Sequence, residues 1–140
     1  MRWIGVDPGT KRVGLAISDP DERFAVTLEV VPANAAVPAI RAIAKREQAG
    51  GIVVGLPLRL DSTEGDAARN ARRFGERLGR VTGLPIEFED EKLTSVEADR
   101  RTAGLSRGEP NDDVAAAILL QQFLDRRRAA EVGEDPSDPK

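Results

Sequence analysis

Three groups of acids stand where this chain changes direction. Asp7 sits where a first apolar run, Trp3-Ile4-Gly5-Val6, meets the turn Asp7-Pro8-Gly9-Thr10. Asp90 and Glu91 close the run Ile86-Glu87-Phe88-Glu89, and Asp112 and Asp113 follow Pro110-Asn111 at the head of a helical stretch. If Asp7, Glu91 or Asp90, and Asp112 converge on one rim, they form an all-oxygen site that suits Mg²⁺ or Mn²⁺ rather than zinc. Two such cations about 4 Å apart activate a water and stabilise the leaving oxygen of a phosphodiester. The composition allows little else. The 140 residues contain no histidine and no cysteine, which excludes a Ser-His-Asp triad, an imidazole base, disulfides and His- or Cys-ligated metals.

Each acid also has an ordinary reading. Asp-Pro-Gly is turn chemistry, four acids from Glu87 to Glu91 suit a solvated edge strand, and acids in a helix's first turn favour its dipole. A second clue is basic. Arg69, Arg73, Arg77 and Arg80 recur at helical spacing beside Arg72, and Glu76 is read as the only acid available nearby to neutralise them. The stripe reads either as a solvated helix face or as a contact for a phosphate backbone. Lys11-Arg12 and Arg126-Arg127-Arg128 are weaker basic candidates, the latter equally suited to a helix C-terminus.

The elements that must position these groups follow from the hydrophobic pattern. The runs Trp3–Val6 and Val13–Ile17, joined by a Pro-Gly turn, predict an antiparallel pair, and Phe24 to Val31 reads as a third strand. Asn34 is placed to cap a helix carrying Val37, Ile40, Ile43 and Ala44, ended by Gly50-Gly51. Ile52-Val53-Val54 is a strand buried on both faces. Asp61 or Ser62 would cap a second helix with Ala67, Ala71, Phe74 and Leu78 inward, ending at Gly83-Leu84-Pro85. After the strand Ile86–Phe88, Thr94-x-x-Glu97 is a capping box opening a short third helix, and a last helix runs from about Asp112 to Ala130. Antiparallel strands followed by strand–helix alternation predict a mixed α/β sheet with its site at the parallel strands' carboxyl rim.

With 40% hydrophobic and 32% charged residues, the chain reads as a single soluble domain over residues 1–130, with no membrane span or signal peptide and a cytoplasmic location. Glu131, Glu134, Asp135 and Asp138 against Lys140 hold the whole net charge of −3 in residues 131–140, an acidic tail with the composition of disorder.

The segment Gly5-Val6-Asp7-Pro8-Gly9-Thr10-Lys11-Arg12-Val13-Gly14-Leu15-Ala16 resembles the opening motif of the YqgF/RuvX family of Holliday-junction-resolvase-like nucleases. Val54-Gly55-Leu56-Pro57-Leu58 with Gly65, Asp90-Glu91-Lys92-Leu93-Thr94-Ser95-Val96-Glu97-Ala98, and Asp112-x-x-Ala115-Ala116 through Leu120-Gln121 resemble its other blocks in the same order, from about Trp3 to Asp125. The resemblance implies a ribonuclease-H-like mixed sheet flanked by helices and a metal-dependent nuclease using Mg²⁺ or Mn²⁺. By motif, Asp7, Glu91 and Asp112 match its acidic positions, Asp112 rather than Asp113 because paired alanines follow after two residues. Thr10, Lys11 and Arg12 would border the scissile phosphate, and the Arg69, Arg73, Arg77 and Arg80 face would bind backbone. Lys92 stands where the family has arginine, losing a bidentate phosphate contact but keeping the charge. The segment Ser106–Pro110 is shorter and less basic than its family counterpart.

The family's duties are 5′-end maturation of 16S ribosomal RNA precursors and resolution of four-way DNA junctions, so the implied partner is nucleic acid. A resolvase would be a symmetric homodimer. Two rivals remain: a non-catalytic nucleic-acid or ribosome-assembly module on the same fold, and a nucleotide-binding phosphotransferase suggested by Asp7-Pro8-Gly9-Thr10 alone.

Overall fold

The computed structural model describes residues 1–58, 61, 63–90 and 112–131, with Asp112 described in its backbone only. Glu91, Lys92, the Thr94–Glu97 capping box, the segment Ser106–Pro110 and the tail from Val132 lie outside the described residues.

The apolar runs of β1 (Arg2–Pro8) and β2 (Arg12–Ser18), buried on both faces, and the more exposed β3 (Ala25–Pro32) form an antiparallel meander. A single 3₁₀ turn, Ala33–Ala35, leads into α1 (Ala36–Arg46). Then come β4 (Ala49–Leu56), α2 (Asp66–Thr82), β5 (Ile86–Asp90) and α3 (Asp112–Glu131). The sheet order is β3-β2-β1-β4-β5, with β4 parallel to both β1 and β5. The carboxyl ends of β1, β4 and β5 therefore share one rim, as the strand–helix alternation predicts.

The two sheet faces carry separate cores. Helices α1 and α2 pack on Ile4, Val6, Leu15, Ile52 and Val54 through Ile40, Ile43 and Leu78. On the other face α3 packs on Trp3, Ala16 and Val53 through Ala116, Leu119, Leu120, Phe123 and Leu124. Strand β4, between β1 and β5, is covered on both sides, with Ile52, Val53 and Val54 all at 0% exposure, which is why its sequence is a continuous apolar run rather than an alternating one.

The caps differ from the sequence expectation. Asn34 falls inside the 3₁₀ turn, and α1 starts behind Ala35 with no side-chain cap. Gln48, at φ 53°, makes the left-handed exit from α1, and Gly50-Gly51 already belong to β4. Asp61 uses one carboxylate oxygen to accept from the Thr63 amide at 3.0 Å and its hydroxyl at 2.6 Å, so α2 begins only at Asp66, behind Gly65. Its buried set is then Ala68, Ala71, Gly75 and Leu78. Ala67 is exposed, and Phe74 is half-buried against the core. The expected exit at Gly83 holds.

At the end of the sheet away from the rim, Glu22 ties three elements together. Its carboxylate accepts from the N-terminal ammonium at 3.2 Å, Trp3 Nε1 at 3.1 Å and Arg127 Nε at 3.2 Å. The Arg127 guanidinium also lies 5.0 Å from the centre of the Trp3 ring. Burial pushes the Glu22 carboxyl up, but the hydrogen bonds from the ammonium, Arg127 and Trp3 outweigh it and hold the group below its ordinary range. The stability Glu22 contributes is therefore present above the ordinary carboxylate value and is lost as pH falls through the depressed one.

Two outcomes follow. The stability gap between wild type and Glu22→Gln, read from urea midpoints, should close as pH falls from about 6 to about 3; a gap that widens on acidification contradicts the assignment. Gly5→Ala should cost about 1–3 kcal/mol, because its new methyl would sit 2.8 Å from Leu120 Cβ and 3.0 Å from the Ala116 carbonyl oxygen. An unchanged unfolding midpoint would show that α3 is not seated as closely as described.

Candidate active site

Asp7 is the penultimate residue of β1, paired with Gly14 of β2 and half-buried. Successive strand residues point to opposite faces. Trp3 belongs to the α3 core, while Ile4 and Val6 belong to the α1/α2 core. Asp7 thus shares the α3 face with Trp3 and Gly5. The turn beyond it is tightly set: a Cβ on Gly9 would lie 2.4 Å from the Arg12 carbonyl oxygen, so only glycine fits. The Lys11 carbonyl accepts from the Ala33 amide at 2.9 Å, which pins the turn to the start of the 3₁₀ segment. Thr10, Lys11 and Arg12 are exposed on this turn, within a few residues of Asp7.

Helix α3 runs antiparallel to β1. Its Ala116–Leu120 turn lies over Gly5, and further along Phe123 meets Trp3 edge-on with ring centroids 4.7 Å apart. Tracing both elements the other way, Asp112 is four residues before Ala116, about 6 Å of helix. Asp7 is two residues after Gly5, about 7 Å of strand. The head of α3 is therefore carried to the rim where Asp7 stands. Asp113 uses an oxygen to accept from the Val114 amide at 2.9 Å.

The acids of β5 are sorted by face. Glu89 is only 8% exposed and accepts from Arg126 of α3 at 2.5 Å, which puts it on the α3 side. Phe88 packs on the α1/α2 core beneath the Arg72 guanidinium, 5.1 Å from its ring centre. Asp90, next in alternation, shares Phe88's side and is exposed. Burial raises the Glu89 carboxyl above its ordinary value, with the Asp90 charge adding to the rise; the charge and hydrogen bond of Arg126 offset only part of it. Sequence reasoning missed the Glu89–Arg126 pair, leaving Arg126 as a weaker basic candidate equally suited to the helix dipole. The available signal was its spacing: Arg126 is seven residues, two helical turns, after fully buried Leu119.

The arginine stripe lies elsewhere. At 100° per residue, Arg69, Arg73, Arg77 and Arg80 point away from the buried set of α2, out from the α1/α2 layer, and they extend about 16 Å along the helix. The structure does not bring them to Asp7's face. They also have more acidic company than Glu76: Arg69 pairs with Asp66, and Arg72 makes a two-point contact with Glu64 at 2.7 and 2.8 Å. Arg69 and Asp66 are both largely exposed, and such pairs contribute about 0–1 kcal/mol, too little to keep Arg69 from a phosphate.

Among the described residues no three acids gather closely enough to hold a metal ion. Of the three acids chosen from sequence, only Asp7 has a described side chain. Also among the described residues, no helix is long and apolar enough to cross a membrane.

Comparison with known proteins places the chain. The family model described as "RuvX: Holliday junction resolvase" matches residues 1–126. A protein of Anaeromyxobacter sp. (strain Fw109-5) named "Putative pre-16S rRNA nuclease" is 43% identical over 137 residues, covering 92% of this chain and 100% of that one. A protein of the same name from Oenococcus oeni is 38% identical over 138 residues, 91% of this chain and 96% of that one. In structure, the chain is similar to Thermus thermophilus RuvC solved with a Holliday junction substrate, at a TM-score of 0.58 and 16% identity over 91% of this chain and 96% of that one. It is also similar to the fowlpox virus Holliday junction resolvase, at a TM-score of 0.53 and 12% identity over 90% and 99%. The five-stranded mixed sheet is thus the ribonuclease-H-like fold that the resemblance implied, and the chain belongs to the RuvX family, whose members are nucleases.

Proposed function

We propose that this chain hydrolyses phosphodiester bonds with a divalent metal, Mg²⁺ or Mn²⁺, held by Asp7, Glu91 and Asp112. The observation that carries the reading is the antiparallel seating of α3 on β1. It brings the head of α3 to the rim on the face that Asp7 occupies. The donors fit hard cations, since the chain has only oxygen ligands to offer. Read from the sequence alone, period-two alternation groups Glu91 with Glu87 and Glu89 and leaves Asp90 with Phe88. That favours Glu91 as the ligand. When bound, the cations activate a water nucleophile and stabilise the charge that develops at the scissile phosphate.

The remaining roles fall to the chain's own side chains. Asp7 anchors the metals on a rigid central strand. Thr10, Lys11 and Arg12 border the phosphate from the β1–β2 turn, and Lys92 adds a point charge. The outer face of α2, with Arg69, Arg73, Arg77 and Arg80, takes a more distant stretch of backbone.

The favoured substrate is a precursor of 16S ribosomal RNA, because relatives named for that activity align with this chain over nearly their whole length. Junction resolution is the second reading, supported by the family's description; it would require a homodimer, whereas trimming RNA would not. The reading places the protein in the cytoplasm and leaves residues 131–140 as a tail outside the nuclease domain.

The test is cleavage of a 16S precursor fragment and a four-way DNA junction side by side, with Mg²⁺, Mn²⁺ or chelator. Wild type should cut with metal and lose cutting with chelator. Asp7→Asn and Glu91→Gln should each lower kcat by 10²-fold or more, about 2.7 kcal/mol or above, while the unfolding midpoint is retained. Asp90→Asn should stay within a few-fold of wild type. Binding of both substrates without cutting by folded wild type would overturn the proposal in favour of a non-catalytic binding module, and loss of activity in Asp90→Asn but not Glu91→Gln would overturn the ligand assignment.

A further inference from the structure

On the α2 side of the β1–β2 turn, opposite Asp7's face, a cleft of about 470 Å³ opens at the same rim. Its size is that of a small-molecule site, within the range of roughly 300–1,000 Å³. Pro8, Pro57, Ala67 and Phe74 give it a largely apolar wall, and Thr10 and Asn70 add polar groups. Asn70 Oδ1 accepts from Arg73 at 3.2 Å, and its two amide hydrogens have no acceptor among the described residues. Around the opening stand cations: Lys11 and Arg12 follow Thr10 on the turn, and Arg69 and Arg73 flank Asn70 on α2, all exposed.

These features point to one kind of occupant. An apolar wall with an aromatic ring is a poor place for a phosphate but a good one for the flat face of a base. A cationic margin suits the phosphates on either side of that base. The cleft also opens at the rim where Asp7 stands, since Pro8 and Gly9, which help line it, immediately follow Asp7 in the chain. We propose that it receives one unstacked nucleobase of the substrate strand, next to the scissile phosphate, with Asn70 donating to the base edge. This deepens the nuclease reading and rests on it. It also supplies a selection rule: a nucleotide already unpaired is the cheapest to place there, so the enzyme should favour single-stranded ends or branch points over continuous duplex.

Ala67 and Asn70 are exposed and lie outside the residues assigned to metal or phosphate, so their substitution separates the cleft from the chemistry. The experiment uses the full-length chain carrying Asp7→Asn and measures its affinity for a single-stranded RNA of the 16S precursor sequence. An abasic ribose is moved through that RNA one position at a time. Loss of one particular base should weaken binding by about tenfold, the scale of a single base–aromatic stack, with the other positions near parity. Adding Ala67→Leu, which fills the cleft, should weaken binding of the intact RNA to a similar degree and abolish the difference between intact and abasic RNA. Asn70→Ala should give a smaller loss in the same direction. Equal affinity for every abasic RNA, or a base dependence that survives Ala67→Leu in a protein with an unchanged unfolding midpoint, overturns the proposal. A position-specific base dependence in a protein whose Asp7-intact form cuts neither substrate would instead uphold the cleft and sink the nuclease reading. No binding to any of these RNAs overturns both.

Discussion

The seating of α3 on β1 at Gly5 is the contact on which the rest of the rim depends. With no side chain at that position, the helix comes close enough that the Ala116 carbonyl oxygen and Leu120 Cβ stand where a Cβ would need space. Interiors packed this tightly tolerate little displacement, so one glycine sets both the depth and the lie of a 20-residue helix. Trp3 against Phe123, and Arg127 over both rings and onto Glu22, fix the other end of the same contact. A helix held at two points on one strand has no freedom left in where its first turn falls. That is how the start of α3, more than a hundred residues after Asp7 in the chain, is carried to the same rim.

The two sheet faces divide the work. The α3 face holds Asp7 and, through buried Glu89 and its exposed partner Arg126, ties the edge strand β5 to the helix. A lone buried carboxylate would be costly, and Arg126 offsets that cost only in part. The pair is thus better understood as fixing β5 against α3 than as a large source of stability. The α1/α2 face holds a larger apolar core, the cleft beside the β1–β2 turn and the outward arginines. The turn itself, pinned through Lys11 and closed by Gly9, is the hinge of the arrangement in space. It presents Thr10 and Lys11 between the acidic face and the cleft.

Much of this was legible in the sequence, for identifiable reasons. The β1–β2 hairpin was plain because Asp7-Pro8-Gly9 interrupts two alternating runs. The doubly buried β4 was plain because Ile52-Val53-Val54 has no polar face. The sorting of Glu87 and Glu89 from Phe88 and Asp90 follows from period-two alternation alone. Helix boundaries were less legible, because capping depends on which acceptor a side chain finds first. Asp61 turns to Thr63 and Asn34 is absorbed into a 3₁₀ turn, neither of which spacing can anticipate. The pairing of Arg69 with Asp66 is an i,i+3 contact that follows once α2 is known to start at Asp66, whereas that of Arg72 with Glu64 also needs the path by which the chain enters α2. Glu89–Arg126 joins positions 37 apart on different elements, so helical spacing marks the face Arg126 occupies but only tertiary packing reveals its partner.

The central claim is that the start of α3 and the end of β1 form one metal site. The most direct measurement is the paramagnetic broadening of backbone amide NMR signals as Mn²⁺ is titrated into the isotopically labelled protein. The account predicts selective broadening, at substoichiometric Mn²⁺, of Asp7 and its turn together with Asp113 and Val114, abolished in Asp7→Asn. Broadening that reaches β1 but spares the head of α3, or that scatters over exposed acids such as Asp66 and Glu131, would contradict it.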